Sequence, residues 1–297
     1  MRAFCSSANL GPGYDIVGLA LNAFHDIVEV ELVKGDGRAE VVDVRGPYSN
    51  SIPLGERNSA AEAARAALKL AEQRLDAKIR IWKGVPPRRG LGSSGASAAA
   101  TVRAIDILLG GVLKDEELVK AASEGERISS GSAHPDNVAP SLFGGLVVIG
   151  REVLKFKPDF EFLLAIPWID VPENKTEYMR NLIPKEVPLD KFSKHCLHLS
   201  HLMLGIALND ARIFGEGMNY SFIDECRSRS IPGFDELRRR ALENGALGVS
   251  ISGAGPSILI LCEDCPRVSR VLRDEFKRIG VPATILEASP AEGASAL

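Results

Sequence analysis

The chain has no apolar run approaching the ~18 residues needed to cross a bilayer, and its opening, MRAFCSSANL, lacks the apolar stretch of a secretory signal. Both absences predict a cytoplasmic protein outside any membrane. Excess positive charge is missing too: 36 Lys and Arg stand against 39 Asp and Glu, a net charge of -3 with no basic tract, which argues against a nucleic-acid partner. Cysteine is scarce. Five residues, an odd number spread over 297 positions, do not suit a disulfide framework and read as free thiols in a reducing compartment. Cys262-Glu263-Asp264-Cys265 has redox spacing, but it follows an apolar run and precedes Pro266. That context reads as a strand end and turn, whereas a thioredoxin-type pair opens a helix. His195, His198 and His201 recur every three residues beside Cys196, yet no fourth ligand at zinc spacing accompanies them. They read as helix-surface or interface histidines. Repeats and low-complexity tracts are absent, apart from a small-residue tail over 288–296 that reads as a disordered end.

What remains is a composition of 45% hydrophobic and 25% charged residues, that of a soluble globular chain long enough for one large or two ordinary domains. Period-two patterning over 26–33 and 39–45 predicts half-buried antiparallel strands. Over 59–75 the period changes: Ala60, Ala63, Ala64, Ala67, Leu68, Ala71 and Leu75 share a helical face, with Ser59 and Glu62 as a capping box. A strand over 78–82, helices over 93–109 and 115–129 and a strand over 145–149 follow. The second half reads as a strand over 160–166, a Pro- and charge-rich passage over 170–190, helices near 191–213 and 234–243, and two strands around Gly253-Ala254-Gly255. Alternating strands and helices give an α+β class in two lobes.

The most informative segment is Gly90-Leu91-Gly92-Ser93-Ser94-Gly95-Ala96-Ser97, between Pro86-Pro87-Arg88-Arg89 and an alanine-rich helical run. Small residues let the backbone approach an anion, and a turn that opens a helix aims unpaired N–H groups and the positive end of the helix dipole at it. The segment is neither the Walker form, which needs Lys and Ser or Thr after its last Gly, nor the dinucleotide form with three spaced glycines. Three more segments accompany it: Ser6-Ser7-Ala8-Asn9-Leu10-Gly11-Pro12-Gly13-Tyr14-Asp15, Ser130-Gly131-Ser132-Ala133-His134-Pro135-Asp136-Asn137, and Val249-Ser250-Ile251-Ser252-Gly253-Ala254-Gly255-Pro256-Ser257. In this order the set resembles the motifs of the GHMP kinase superfamily, and the His134 segment resembles the homoserine kinase family within it. The resemblance spans residues 3 to about 261. Phe4-Cys5 stands where the family usually has Pro-Ala.

The resemblance implies an N-terminal ribosomal-protein-like α/β lobe over 1–160 with a left-handed βαβ crossover, a ferredoxin-like C-terminal lobe over 161–297, and an active site between them. It implies ATP and Mg²⁺ as cofactors, with Pro87, Arg88, Arg89 and residues 90–97 (Gly90, Leu91, Gly92, Ser93, Ser94, Gly95, Ala96 and Ser97) around the phosphates and Asn58 near the adenine. By the same resemblance Ser94 and Glu126 hold the metal, with Ser93 as the competing hydroxyl. Homoserine, which presents a hydroxyl, a carboxylate and an ammonium, calls for a guanidinium fork, an anion and amide or imidazole groups. Asp15 matches the ammonium site, Asn9, Asn137 and His134 the polar contacts, Arg180 and Arg227 the carboxylate fork with Arg229 competing, and Gly255 the turn that closes the pocket. Asp136 stands where mevalonate kinase and galactokinase carry a catalytic Asp. Homoserine kinases share His-x-Asp-Asn and are thought to work without a dedicated base, with Asn137 orienting the hydroxyl. Because a phosphoryl transition state is loose, early deprotonation is not essential.

The expected activity is ATP-dependent phosphorylation of the homoserine hydroxyl in threonine biosynthesis, by a cytoplasmic protein that forms a homodimer. Two other readings stay open: a GHMP kinase for another small alcohol such as shikimate or mevalonate, and a catalytically silent homologue. The first would not need Asp15, Arg180 and Arg227 together. Intact Ser94, Glu126 and Asn137 speak against the second.

Overall fold

The computed structural model describes residues 1–130, 133–172 and 174–297, and of 128–130 the backbone only. Gly131 and Ser132 of the His134 segment, and Glu173 of the charge-rich passage, lie outside the described residues.

The first lobe is a sheet backed by helices. Its strands are β1 (Arg2–Asn9), β2 (Gly13–Lys34), β3 (Ala39–Arg45), β4 (Leu75–Trp82), β5 (Leu146–Ile149) and β6 (Val153–Phe156). Their order is β3-β4-β2-β5-β6, with β1 antiparallel to β2; β3 and β4 run parallel, as a helical crossover requires. The helices are α1 (Ser59–Leu70), α2 (Ser93–Leu108), α3 (Asp115–Ser130) and α4 (Pro135–Phe143). Helix α2 is sunk among the others and against β1 and β2, with Gly95 to Ile105 buried except Arg103. Only its run of Gly, Ala and Ser lets so many neighbours approach at once. The expected cap on α1 is displaced by one residue: Asn58, not Ser59, accepts from Ala60 N at 2.9 Å, and Glu62 turns to Arg65 instead.

The second lobe carries β7 (Phe162–Pro167), β8 (Ala246–Ile251), β9 (Ile258–Cys262) and β10 (Ala283–Ala288), with helices α5 (Lys175–Asn181), α6 (Leu189–Leu208), α7 (Ala211–Met218), α8 (Phe222–Ser228), α9 (Phe234–Glu243) and α10 (Cys265–Arg278). The antiparallel order β10-β7-β9-β8 is the ferredoxin-like one, fourth-first-third-second. Single helices do not fill 191–213 or 170–190. Asn209, at φ 52, ends α6, and Asp210 caps α7 by accepting from Arg212 and Ile213 N; α5 occupies the Pro-rich passage.

Two expectations fail outright. The tail over 288–296 is ordered: Pro290 bridges Leu21, Glu292 bridges Gly144 and Ser295 bridges Arg2, so the chain end returns to the first sheet. Cys262 and Cys265 are bonded to each other, not free, and Cys265 opens α10 with Pro266 in its first turn. The sequence reading overlooked that Pro is welcome at a helix start, where its missing N–H costs nothing. Cys5, Cys196 and Cys226 are free thiols.

Candidate active site

The four motifs, far apart in sequence, are stitched together by main-chain hydrogen bonds. Ser6 N donates to Leu91 O at 3.1 Å, Gly253 N to Ala8 O at 3.0 Å and Ser257 N to Arg89 O at 3.2 Å. Ser6 Oγ donates to Asn137 O at 2.8 Å, and Ser252 Oγ to Gly90 O at 2.7 Å. The approach is so close that a Cβ on Gly90, itself at φ +77, would lie 2.2 Å from Ser252 O. Glycine is required there on both counts. The motifs frame a cleft of about 710 Å³ whose lining includes Asn58, Arg88, Ser93, Ser94, Glu126, Asn137 and Lys175.

One wall is the start of α2. Gly92, in the left-handed region, swings the chain into the helix, and no acidic residue occupies its first turn. Unpaired N–H groups at this end form an anion site. Beneath it lies a buried pair absent from the sequence expectations. Lys83 (1% exposed) bonds Asp26 (0% exposed) and spends its other protons on Ser93 O and Ser97 Oγ. Asp26 also accepts from Ser97 Oγ and from Gly84 and Val85 N. The loop before α2 and the helix's first turn are thus clamped to β2. Ser97 is a member of this clamp, and Ala96 packs into the core. Ser93 Oγ donates to Val85 O, whereas Ser94 bonds the buried Glu126 carboxylate, which burial pushes up and the Ser94 bond pulls down. Of the two serines, Ser94 is the one beside Glu126. Asn58 lines the cleft, but its amide is engaged with Pro53 O and Ala60 N. Arg88 and Pro87 face the cleft. Arg89 does not: it donates to Ile169 O at 2.7 Å and lies over the Trp168 ring.

Against His134, which lines the cleft, stands an ionic cluster. Arg180 of α5 donates to both Asp15 oxygens at 3.0 Å and stands 3.4 Å from His134 Nδ1. Arg227 of α8, 3% exposed, donates to Gly253 O at 3.0 Å, while Arg229 is exposed at the helix end. The Tyr14 ring lies between the two guanidiniums, 5.7 Å from Arg180 Cζ and 5.3 Å from Arg227 Cζ. Asn9 uses both ends of its amide on the main chain, donating to Gly253 O and accepting from Asp15 N. It therefore shapes the Asp15 turn. Asp15, His134 and Asp136 bring ligand atoms within 4.8 Å of one another, a spacing that could suit a metal, but Arg180 already brings a cation there. Burial, then Arg180, lowers the His134 pKa; burial, then Asp15, raises Asp136 to about 7. Asn137 Nδ2 lies 3.4 Å from Asp136 Oδ1.

Lys175, also missed in the sequence, lines the same cleft. It is 5% exposed, and its ammonium donates to Gly255 O. Its pKa is pushed down to about 7 by burial first and then by Arg227 and Arg89. The only signal was its place one residue before the Thr176 to Arg180 stretch. The α6 histidines serve packing: His195 bonds the Pro12 backbone and stacks on Phe222, and His198 Nδ1 lies 2.7 Å from Glu216 O.

The chain matches the family model for the GHMP kinases N terminal domain over residues 58–145 and that for the GHMP kinases C terminal over 202–277. It is 38% identical to homoserine kinase of Thermoplasma acidophilum, over 98% of this chain and 94% of that one. With homoserine kinase of Aeropyrum pernix it shares 37%, over 99% and 96%. Among solved structures, homoserine kinase from Cytophaga hutchinsonii superposes with a TM-score of 0.88 at 30% identity, over 99% of this chain and 96% of that one. Methanococcus jannaschii mevalonate kinase, at 17% identity and a TM-score of 0.71 over 98% of each chain, shares the fold. The chain belongs to the homoserine kinase family of the GHMP kinases.

Proposed function

We propose that the protein transfers the γ-phosphoryl group of ATP to the side-chain hydroxyl of L-homoserine. One observation carries this: the cleft that holds the α2 start and the Ser94–Glu126 oxygen pair extends to His134 and Asn137, and directly against His134 stands an ionic cluster of one carboxylate, Asp15, and two guanidiniums, Arg180 and Arg227. That cluster is complementary to a zwitterionic amino acid. Asp15 suits the ammonium, and Arg180 and Arg227 the carboxylate. Mevalonate and shikimate have no ammonium for Asp15.

Residues 90–94 and Arg88 face the triphosphate, and Asn58, Ile52 and Pro53 line the cleft where the base would lie. Ser94 and Glu126 suit Mg²⁺, which prefers hard oxygen ligands and keeps several waters, so one hydroxyl and one carboxylate suffice. When bound, Mg²⁺ would neutralise charge on the transferring phosphates. Asn137 orients the acceptor hydroxyl, helped by His134. Asp136 is held near Asn137 with its carboxyl raised to about 7, so it is substantially protonated in the neutral range. In this reading it orients Asn137, and the hydroxyl proton passes to the phosphoryl oxygens. The lobes divide near residue 160, and the enzyme acts in the cytoplasm as a homodimer; light scattering on the purified chain checks the assembly.

A coupled ADP-release assay with homoserine, threonine, shikimate and mevalonate side by side tests the substrate. Homoserine should be the preferred acceptor by a wide margin. Comparable turnover of shikimate or mevalonate would move the protein to the other-alcohol reading, and nucleotide binding without turnover of any acceptor would make it a silent homologue.

A further inference from the structure

Arg57 and Arg88 line the cleft from its solvent-exposed rim, and most of the other cations in and beside it are already committed. Lys83 has three ammonium protons and three acceptors: Asp26 Oδ2, Ser93 O and Ser97 Oγ. Arg89 is turned onto Ile169 O and Trp168. Arg180 is paired with Asp15, and Arg227 serves Gly253 O and Tyr14. Lys175 differs. It is 5% exposed, it lines the same cleft as Ser93, Ser94 and Ala254, and it forms no ion pair among the described residues. Among the described residues its one hydrogen bond, to Gly255 O, leaves two of its three protons unspent. A desolvated ammonium with spare donors and cationic neighbours is costly unless an anion comes to it.

Resting on the kinase reading, we propose that Lys175 is a catalytic phosphate ligand, its ammonium gripping the γ-phosphoryl group of the bound nucleotide and staying with it to the acceptor oxygen. The acceptor carboxylate is the less fitting partner, because the ionic cluster already supplies two guanidiniums for it. During transfer the acceptor oxygen bonds to Pγ, the bond from Pγ to the β,γ-bridging oxygen breaks, and that electron pair leaves with ADP. The hydroxyl proton goes to the phosphoryl oxygens. Lys175 gives up no proton. It offsets charge on equatorial oxygens while Gly255 O fixes its direction, an electrostatic role of the kind that matters most in phosphoryl transfer.

The test uses the full chain with Lys175→Met and Lys175→Arg, and titrates ADP and the β,γ-imido analogue of ATP in the presence of Mg²⁺. Wild type should prefer the analogue, Lys175→Met should lose that preference while holding ADP unchanged, and Lys175→Arg should regain part of it. In turnover, Lys175→Met should lower kcat by about 10²-fold or more, with little change in the KM for homoserine. Wild-type kcat/KM for ATP should fall as pH rises above about 7, where the free ammonium loses its proton. Lys175→Arg should move that fall to higher pH. A raised homoserine KM with the analogue preference intact would overturn the proposal in favour of a carboxylate ligand. Loss of an acid-side fall in rate would overturn it in favour of a base. Equal weakening of both nucleotides with a lowered Tm in both variants would leave only a structural role and overturn it too. The nucleotide titrations need no acceptor, so an enzyme inactive on homoserine would sink the substrate assignment while the analogue preference still decides on Lys175.

Discussion

The α2 wall of the cleft and the ionic cluster beside it solve the problem of binding charge in opposite ways. The α2 wall is built from main chain: a left-handed glycine, a helix start and small residues, held by a Lys83–Asp26 pair whose protons and lone pairs are already shared with the loop. It is finished before any ligand arrives. The ionic cluster is built from long charged side chains that answer one another, Arg180 to Asp15 and both arginines to Tyr14. Side-chain charges can pair among themselves in a way that backbone dipoles cannot, so this cluster must exchange internal contacts for those of a substrate. A wall of fixed dipoles suits a ligand every kinase shares, and a cluster of exchangeable charges suits the ligand that differs.

This contrast can be broken first at the clamp. Lys83→Met leaves the Asp26 carboxylate buried without its cation, so unfolding free energy should drop by about 3–5 kcal/mol; denaturant titration with unchanged midpoint would show that the clamp does not hold the wall. Next in size, Ser94→Ala and Glu126→Gln should each lower turnover by about 10²–10³-fold with the melting temperature preserved. Near-normal rates in both at saturating Mg²⁺ would refute the metal assignment. A smaller, more selective effect belongs to the ionic cluster. Arg227→Lys and Arg180→Lys keep the charge and lose the fork, a loss of about 1.5–3 kcal/mol that should raise the homoserine KM roughly ten- to hundredfold while sparing that for ATP. The exposed Arg229, changed to Lys, should do little. Asp15→Asn should impair homoserine far more than its des-amino analogue, and a wild-type enzyme that used both equally would remove the ammonium contact.

The smallest effect on rate is expected at Asp136. With a loose transition state, Asp136→Asn should stay within about tenfold of wild type and keep the shape of the pH–rate profile. Its folded carboxyl titrates near 7, above the ordinary value of 3.8, so the native state holds a proton that the unfolded chain releases. The resulting stability is present below about pH 4 and lost as pH rises through 7; Asp136→Asn should flatten that decline in denaturant unfolding at pH 5 and pH 8. Loss of several orders of magnitude in rate together with an acidic limb would instead make Asp136 the base.

The turn into α2 was legible because contiguous residues make it: Gly90 and Gly92 followed by Ser93 and Ser94 declare their own geometry. The α1 and α2 helices, β3, β4 and the β8–β9 pair followed from period and turn chemistry in the same way. Where local signals competed, the reading slipped. Asn58 took the cap from Ser59 because its side chain could satisfy Pro53 O as well. Pro266 after Cys265 fits a turn as well as a helix start, and it stands in the first turn of α10. Lys83 and Asp26 gave no signal and Lys175 only its place beside Thr176, since a charged residue beside an apolar strand or in a charge-rich passage looks the same whether solvent or protein surrounds it.

Sequence by itself determined a two-lobed α+β protein and the local geometry of its four short motifs of small, polar and charged residues, because backbone conformation and residue type act within a few positions. The tertiary structure alone decided that Arg227 rather than Arg229 is buried at the site, that Ser94 rather than Ser93 meets Glu126, that Lys175 faces the cleft, and that the chain's tail closes the first sheet. Each of these depends on what a side chain meets from elsewhere in the chain and on whether water is excluded there, and burial of that kind is a property of the assembled fold.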